Sequence, residues 1–381
     1  MLIKNANMVD VINNKIINNT DILIDKGKII KIANDIPVDN NREVIDAKNK
    51  LVCPGFIDMH VHLREPGRED KETIQTGSNA AAKGGFTTIV CMPNTEPVLD
   101  NAGLVRFVKD RAKTAVVNVF PTGCITKGMN GLEITEMADL VSAGIVAITE
   151  DGRTVMNSEV LRRAMEYSKM FDIPVLSHCE DISLSEDGVM NEGYYSTITG
   201  LKGIPNQAES IIVARDINLA QLTGTRIHIQ HVSAKESIDI IKFAKKQGIS
   251  VTAETAPHYF TLTHEALVDF DTNKKMNPPL RSKEDLKAIK KALADGTIDV
   301  IATDHAPHIE EEKDLEIKYA PFGIVGLETA VGLILTELYH KEKMDIIDLV
   351  KKLTINPAKI LKLDKGVLQE GADADITILD L

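Results

Sequence analysis

The sequence predicts an α/β fold: a closed (β/α)8 barrel of the TIM type with a small flanking β domain built from both chain ends. Three observations carry that expectation. Short apolar runs rich in Val, Ile and Thr recur from about residue 50, longer amphipathic stretches separate them, and both ends of the chain lack a helical period. Parallel strands covered on both faces read as unbroken apolar runs of this kind, and strand-then-helix repeated eight times is the barrel's signature.

Residues 1–50 read as short strands, with TDILIDKGKIIKI (20–32) folded about a Lys-Gly turn. The candidate barrel strands follow: GFIDMHVH (55–62), FTTIVCMPN (86–94), AVVNVFPTG (115–123), AGIVAITED (143–151), IPVLSHCE (173–180), RIHIQHVS (226–233), ISVTAET (249–255) and IDVIATDH (298–305). Between them lie helical patterns. NQAESIIVARDINLAQL (206–222) places Ile211, Ile212, Arg215, Leu219 and Leu222 at three-to-four spacing. KEDLKAIKKALADG (283–296) follows Ser282 as N-cap, with Asp285 at N3 and Gly296 as a stop. KGVLQEGADADITILDL (365–381) is again strand-like. Neither end buries much apolar surface alone, so both are expected to meet in one unit. The expected division is 1–50 plus 360–381 for the flanking domain and 51–359 for the barrel. An open doubly wound sheet is the alternative, but no GxGxxG or GxxxxGK[ST] follows any strand.

Composition narrows the function classes. The 381 residues are 43% hydrophobic and 26% charged, which excludes wholesale disorder and fibrous rods. A formal net charge of −12 disfavours nucleic acid and anionic membranes as partners. The first thirty residues hold no signal-peptide core, and no run approaches the ~20 apolar residues of a membrane span. Cys53, Cys91, Cys124 and Cys179 show no CxxC spacing and read as buried thiols. The expectation is a cytoplasmic protein.

Chemistry in a barrel collects at the C-terminal ends of its strands. There this sequence places His60 and His62 on the first strand, Asp151 on the fourth, His178 on the fifth, His231 on the sixth and Asp304 on the eighth. At period two, His60 and His62 face the same side. A lone strand His is ordinarily a hydrogen-bonded core residue, and a lone Asp at a strand end is ordinarily a helix cap. Six such groups at one barrel end are different, because without a cation the carboxylates would be desolvated and the imidazoles unpartnered. Six ligands exceed the four of a tetrahedral zinc and suit two divalent ions roughly 3.5–4 Å apart. The imidazole–carboxylate mixture favours Zn2+, with Mn, Co and Fe as alternatives. The other histidines act as controls. His228, three before His231, is expected to face the helices; His264 and His340 read as surface; His305 points away from the site; His258 is left open as a supporting residue.

FIDMHVHLREPG (56–67), MPNTEP (92–97), TEDGRTV (149–155), SHCED (177–181), ETAPHYFTLT (254–263), KMNPPLR (275–281), IATDHAPH (301–308) and APFGIVGLETA (320–330) occur in this order. Together they resemble the type I dihydroorotases of the amidohydrolase superfamily, from about residue 50 to 380. The resemblance implies that Asp151 bridges two ions, that His60, His62 and Asp304 hold one, and that His178 and His231 hold the other. It implies that Arg64 and Asn94 grip a substrate carboxylate, that Asn277 and His308 add contacts, and that backbone around Phe322 and Gly323 meets the ring, with His62 also near the substrate. Residues 307–323 correspond to a mobile substrate-covering loop.

The implied reaction is reversible cyclisation of N-carbamoyl-L-aspartate to L-dihydroorotate and water in de novo pyrimidine biosynthesis, with Asp304 as proton shuttle for a metal-bound hydroxide. Hydantoinases, allantoinases and some dihydroorotases bridge their metals with a carboxylated lysine on the fourth strand. Here no lysine occurs between Lys127 and Lys169, and Asp151 takes that place. The alternatives are another cyclic-amide hydrolase and a non-catalytic scaffold for aspartate transcarbamoylase, whose signature would be missing ligands. Association with that transcarbamoylase and a homodimer are the partners the resemblance leaves open. Family members usually continue beyond a segment like ADADITILDL, whereas this sequence stops at Leu381.

Overall fold

A computed structural model describes residues 1–39 and 41–381. The N-terminal strands Leu2–Asp10, Lys15–Asp25 and Lys28–Ala33 form an antiparallel meander. Its second turn is Lys26-Gly27, with φ of 47° and 74°. Two successive left-handed residues match the twist of the flanking strands, which is why a glycine stands there. Strand Leu51–Pro54 pairs in parallel with Leu2–Asp10 and antiparallel with Ile376–Leu379. Pairing therefore carries this sheet past residue 50. Its interior is Ile3, Ala6, Met8, Ile22, Ile29, Ala47 and Val52.

The second system is parallel. One arc runs Phe56–Val61, Phe86–Cys91 and Asn118–Pro121; the other runs Gly123–Cys124, Ile148–Thr149, Val175–Ser177, Ile227–Ile229, Val251–Thr255 and Val300–Ile301. The stretch 118–124 belongs to both arcs. At the opposite seam Val61 bridges His305 in parallel, and the His62 N–H donates to the His305 carbonyl at 2.8 Å. The strands are shorter than the apolar runs because each ladder stops where a polar residue turns toward the strand ends. Asp304, at φ 50°, and His231, at φ 34°, leave extended geometry altogether.

Met59, Val90, Met92, Ala147, Leu176, Val300 and Ala302 pack together on the N-terminal side of those polar residues, closed off by Ile360 and Leu361 of helix Ile355–Leu361. This apolar plug excludes water from below the polar layer. All four cysteines are free and buried, and burial pushes the Cys53 and Cys91 thiols up to about 12. Among the described residues, no helix is long and apolar enough to cross a membrane.

Helix Lys283–Ala294 has the expected start, a reciprocal capping box between Ser282 and Asp285, and stops just before Gly296. Helix Gln207–Thr223 requires a correction. Ile211 and Leu222 are exposed, and the buried face is Ala208, Glu209, Ile212, Val213, Asp216, Ile217 and Ala220. Polar partners rotate it: Glu209 accepts from the backbone of Ser233 and Ala234, and Asp216 from Arg215 and Ser177. A hydropathy stripe cannot register two acids buried by specific partners.

Candidate functional site

The six candidate ligands converge, all of them buried. His60 Nε2 lies 3.2 Å from Asp151 Oδ1 and 3.4 Å from Asp304 Oδ1. His62 Nε2 lies 3.2 Å from Asp151 Oδ2 and 3.1 Å from Asp304 Oδ1. On the other side, His231 Nε2 is 3.4 Å and His178 Nδ1 3.7 Å from Asp151 Oδ1. Asp151 thus stands between two sets of imidazoles.

The far ring nitrogens explain which atoms point inward. His60 Nδ1 donates to Glu254 Oε1 at 2.5 Å, His62 Nδ1 to Asn94 Oδ1 at 3.0 Å, and His178 Nε2 to Glu180 Oε2 at 2.9 Å. In the neutral ring, the form that binds a metal, each donation leaves the opposite nitrogen with a lone pair facing Asp151. His178 Nδ1 and His231 Nε2 face each other at 2.7 Å. His60 Nε2 and Asp151 Oδ1 are buried without a hydrogen-bond partner. Converging lone pairs and carboxylate oxygens with no donor among them fit a divalent cation. Three overlapping triads have that geometry: His60–His62–Asp151, His60–His231–Asp304 and Asp151–His178–His231.

Electrostatics agree. Burial favours neutral imidazole at His60, yet Asp151, Asp304 and Glu254 outweigh it and raise its pKa well above the ordinary value. Burial likewise opposes charge on His178, but its bonds to Asp151 and Glu180 lift it to about 10. Burial opposes ionisation of Asp151, and the surrounding histidines, His60 foremost, hold its carboxyl well below the usual range. The cluster of acids calls for positive charge at its centre.

Above these ligands lies a cavity of about 180 Å³ bounded by His62, Arg64, Asn94, Asn277, His308 and Phe322 together with the ligand layer. Arg64, at φ 59°, shares the left-handed backbone of His231 and Asp304. Such residues cost about 1–3 kcal/mol each and persist where their surroundings hold them. Arg64 Nε is tied to the Pro307 carbonyl at 3.2 Å. Asn94 is committed at both ends, accepting from His62 and donating to the Asp151 carbonyl at 3.2 Å. Asn277 donates to Glu180 at 3.0 Å. Burial, with Arg64 and Lys71 nearby, lowers the His308 pKa to about 4, and its neutral ring meets the Phe322 carbonyl at 2.8 Å.

From residues 307–323, His308 and Phe322 reach the cavity wall. Lys275 Nζ donates to the Ile317 and Ala320 carbonyls, both at 2.7 Å, and Lys313 Nζ to the Pro321 carbonyl at 2.9 Å. Gly323 is not on the cavity wall; its N–H donates to the Lys275 carbonyl at 2.9 Å. A Cβ there would lie 2.3 Å from the Ala306 carbonyl oxygen, so only glycine permits that approach.

The control histidines divide. His305 turns away toward Glu72, and His340 is exposed. His264 is half-buried and meets Asn191 at 3.1 Å, so it is not a surface residue. His258 is buried with Nε2 unpartnered. His228 does not face the helices: it reaches Glu254 at 3.2 Å and Thr252 at 2.8 Å inside the bore. Period two holds from His228 to Gln230, both inward, and the left-handed turn at His231 then brings a third side chain inward. Sequence reasoning missed Glu254 and Glu180. The only signals were an acid inside the run VTAET and an acid two residues after His178.

A family model described as Dihydro-orotase-like matches residues 49–237. A dihydroorotase from Pelotomaculum thermopropionicum is 55% identical over 380 residues, covering 100% of this chain and 88% of that protein. One from Endomicrobium trichonymphae is 53% identical, covering 100% and 89%. Among solved structures, the L-hydantoinase (dihydropyrimidinase) from Arthrobacter aurescens superposes with a TM-score of 0.86 at 25% identity, covering 98% of this chain and 85% of that one. Fold, site and these likenesses define a metal-dependent cyclic amidohydrolase. Within that class, the chain belongs to the dihydroorotase family.

Proposed function

We propose that this chain catalyses the reversible cyclisation of N-carbamoyl-L-aspartate to L-dihydroorotate and water, a step of de novo pyrimidine (UMP) biosynthesis. The observation that carries the reading is Asp151 between two imidazole sets, where hydantoinase-type sites need a carboxylated lysine, beneath a cavity walled by Arg64. His60, His62 and Asp304 would hold one divalent ion and His178 and His231 a second, with Asp151 available to both; Zn2+ would suit this donor set. Bound ions of this kind acidify water and polarise a carbonyl oxygen.

The protein's own groups do the rest. Asp304 contacts His60 and His62 through Oδ1, which leaves Oδ2 to take the proton of the attacking water and return it to the leaving ring nitrogen. Arg64 grips the substrate carboxylate and orients the ring, with Asn94, Asn277, His308 and Phe322 completing the pocket.

The domain reading is a (β/α)8 barrel with a flanking β unit from both chain ends; strand Leu51–Pro54 pairs within the flanking unit, so the N-terminal boundary lies after residue 54 rather than at 50. The shared stretch 118–124 and the Val61–His305 bridge support closure. A cytoplasmic setting, and assembly as a homodimer or with an aspartate transcarbamoylase, belong to the same proposal; sizing the protein alone and mixed with that enzyme tests the assembly.

Purified, zinc-loaded protein is expected to turn over dihydroorotate and carbamoyl aspartate in preference to hydantoin and allantoin. Chelator treatment is expected to remove the activity and Zn2+ to restore it. Faster turnover of hydantoin than of dihydroorotate overturns the substrate assignment. Replacing Arg64 by Met is expected to raise KM about tenfold or more, since hydrogen bonds to charged groups contribute roughly 1.5–3 kcal/mol. An unchanged KM unseats Arg64 as the carboxylate clamp.

A further inference from the structure

Glu254 is enclosed at the middle of the bore on strand Val251–Thr255, 1% exposed. Its two oxygens are divided between two histidines, Oε1 at 2.5 Å from His60 Nδ1 and Oε2 at 3.2 Å from His228 Nε2. His228 is itself anchored through Nδ1 to Thr252 Oγ1 at 2.8 Å. A second group competes for the same atom of His60. Gln230 Nε2 lies 3.3 Å from His60 Nδ1, and its amide orientation is set by Thr149 Oγ1 donating to Gln230 Oε1 at 2.9 Å.

The two neighbours make opposite demands. A carboxylate requires Nδ1 to carry the hydrogen, leaving Nε2 as a lone pair toward Asp151. An amide N–H requires Nδ1 to accept, which puts the hydrogen on Nε2, in the middle of the ligand cluster. The shorter, charge-assisted contact wins.

We propose that Glu254 is a positioning residue that locks His60 in its metal-competent tautomer against Gln230, with His228 and Thr252 holding the Glu254 carboxylate in place. This rests on the metal reading above and adds a residue to it. Partners behind metal-bound histidines act in this way generally, and their loss costs about 10–100-fold in metal affinity.

The test uses Glu254→Leu, which removes the acceptor and leaves Gln230 as the neighbour of Nδ1, and Glu254→Gln, which keeps an acceptor for His60 if His228 flips its tautomer. Metal affinity is measured by competition of Zn2+ between the protein and a chromophoric chelator. The expected result is a loss of about 10–100-fold for Glu254→Leu and recovery of most of it in Glu254→Gln. Equal affinity of wild type and Glu254→Leu, or an equal loss in both variants, overturns the tautomer lock. Should Glu254→Leu not fold, ring 15N spectra of the zinc-loaded wild type decide instead: a hydrogen on His60 Nδ1 supports the proposal, and a bare Nδ1 overturns it. Wild-type protein that takes up no divalent ion overturns the metal reading itself, and is distinguishable from failure at Glu254 alone.

Discussion

Asp304→Asn is expected to lower kcat by about 10²–10⁴-fold in both directions while divalent metal stays bound. Asparagine keeps the shape of the side chain and an oxygen that can face His60 and His62, the contacts made at 3.4 and 3.1 Å. It removes the one property the proton transfer needs, a second oxygen able to accept and release a proton, and general acid–base groups contribute about that factor. Steady-state rates on dihydroorotate and on carbamoyl aspartate, paired with elemental analysis of the same preparation, check it. A variant with near-normal rates removes Asp304 as the shuttle. One that has lost its metal makes it a ligand first.

Asp151→Ala is expected to empty the centre. Of the two acids, Asp151 alone lies within 4 Å of both imidazole sets, and its Oδ1 is a buried acceptor with no hydrogen-bond partner. Without it the lone pairs of His178 and His231, 2.7 Å apart, have no carboxylate to share a cation with. Metal content after equilibration with micromolar Zn2+ is expected to fall toward zero and activity to background. Retention of both ions, measured by elemental analysis, would overturn Asp151 as the bridge.

Much of this centre was legible along the chain. His60-Val61-His62 declares a shared face because strand side chains alternate, and that needs no tertiary information. The Ser282–Asp285 capping box and the Lys26-Gly27 turn are likewise local, each set by residues within a few positions. Asp151 stood out through the lysine-free stretch around it. Other features were hidden. Helix Gln207–Thr223 buries Glu209 and Asp216 because Ser233 and Arg215 meet them, so its inward face departs from its hydropathy. His228 was misplaced because period two was counted through His231, where the backbone turns left-handed. Glu254 carries almost no signal in one dimension, since an acid in a strand is informative only when its neighbours are known.

The order of strand-like and helical segments, the six side chains that converge at the centre and the family were thus legible from residue pattern alone, because alternation, capping and motif spacing act over short chain distances. Which nitrogen of each imidazole faces the centre, and which buried acids hold those rings, was decided only in three dimensions. Those outcomes depend on groups from different strands, such as His60 and Glu254, meeting at hydrogen-bond distance. Only the register of the packed strands sets that distance.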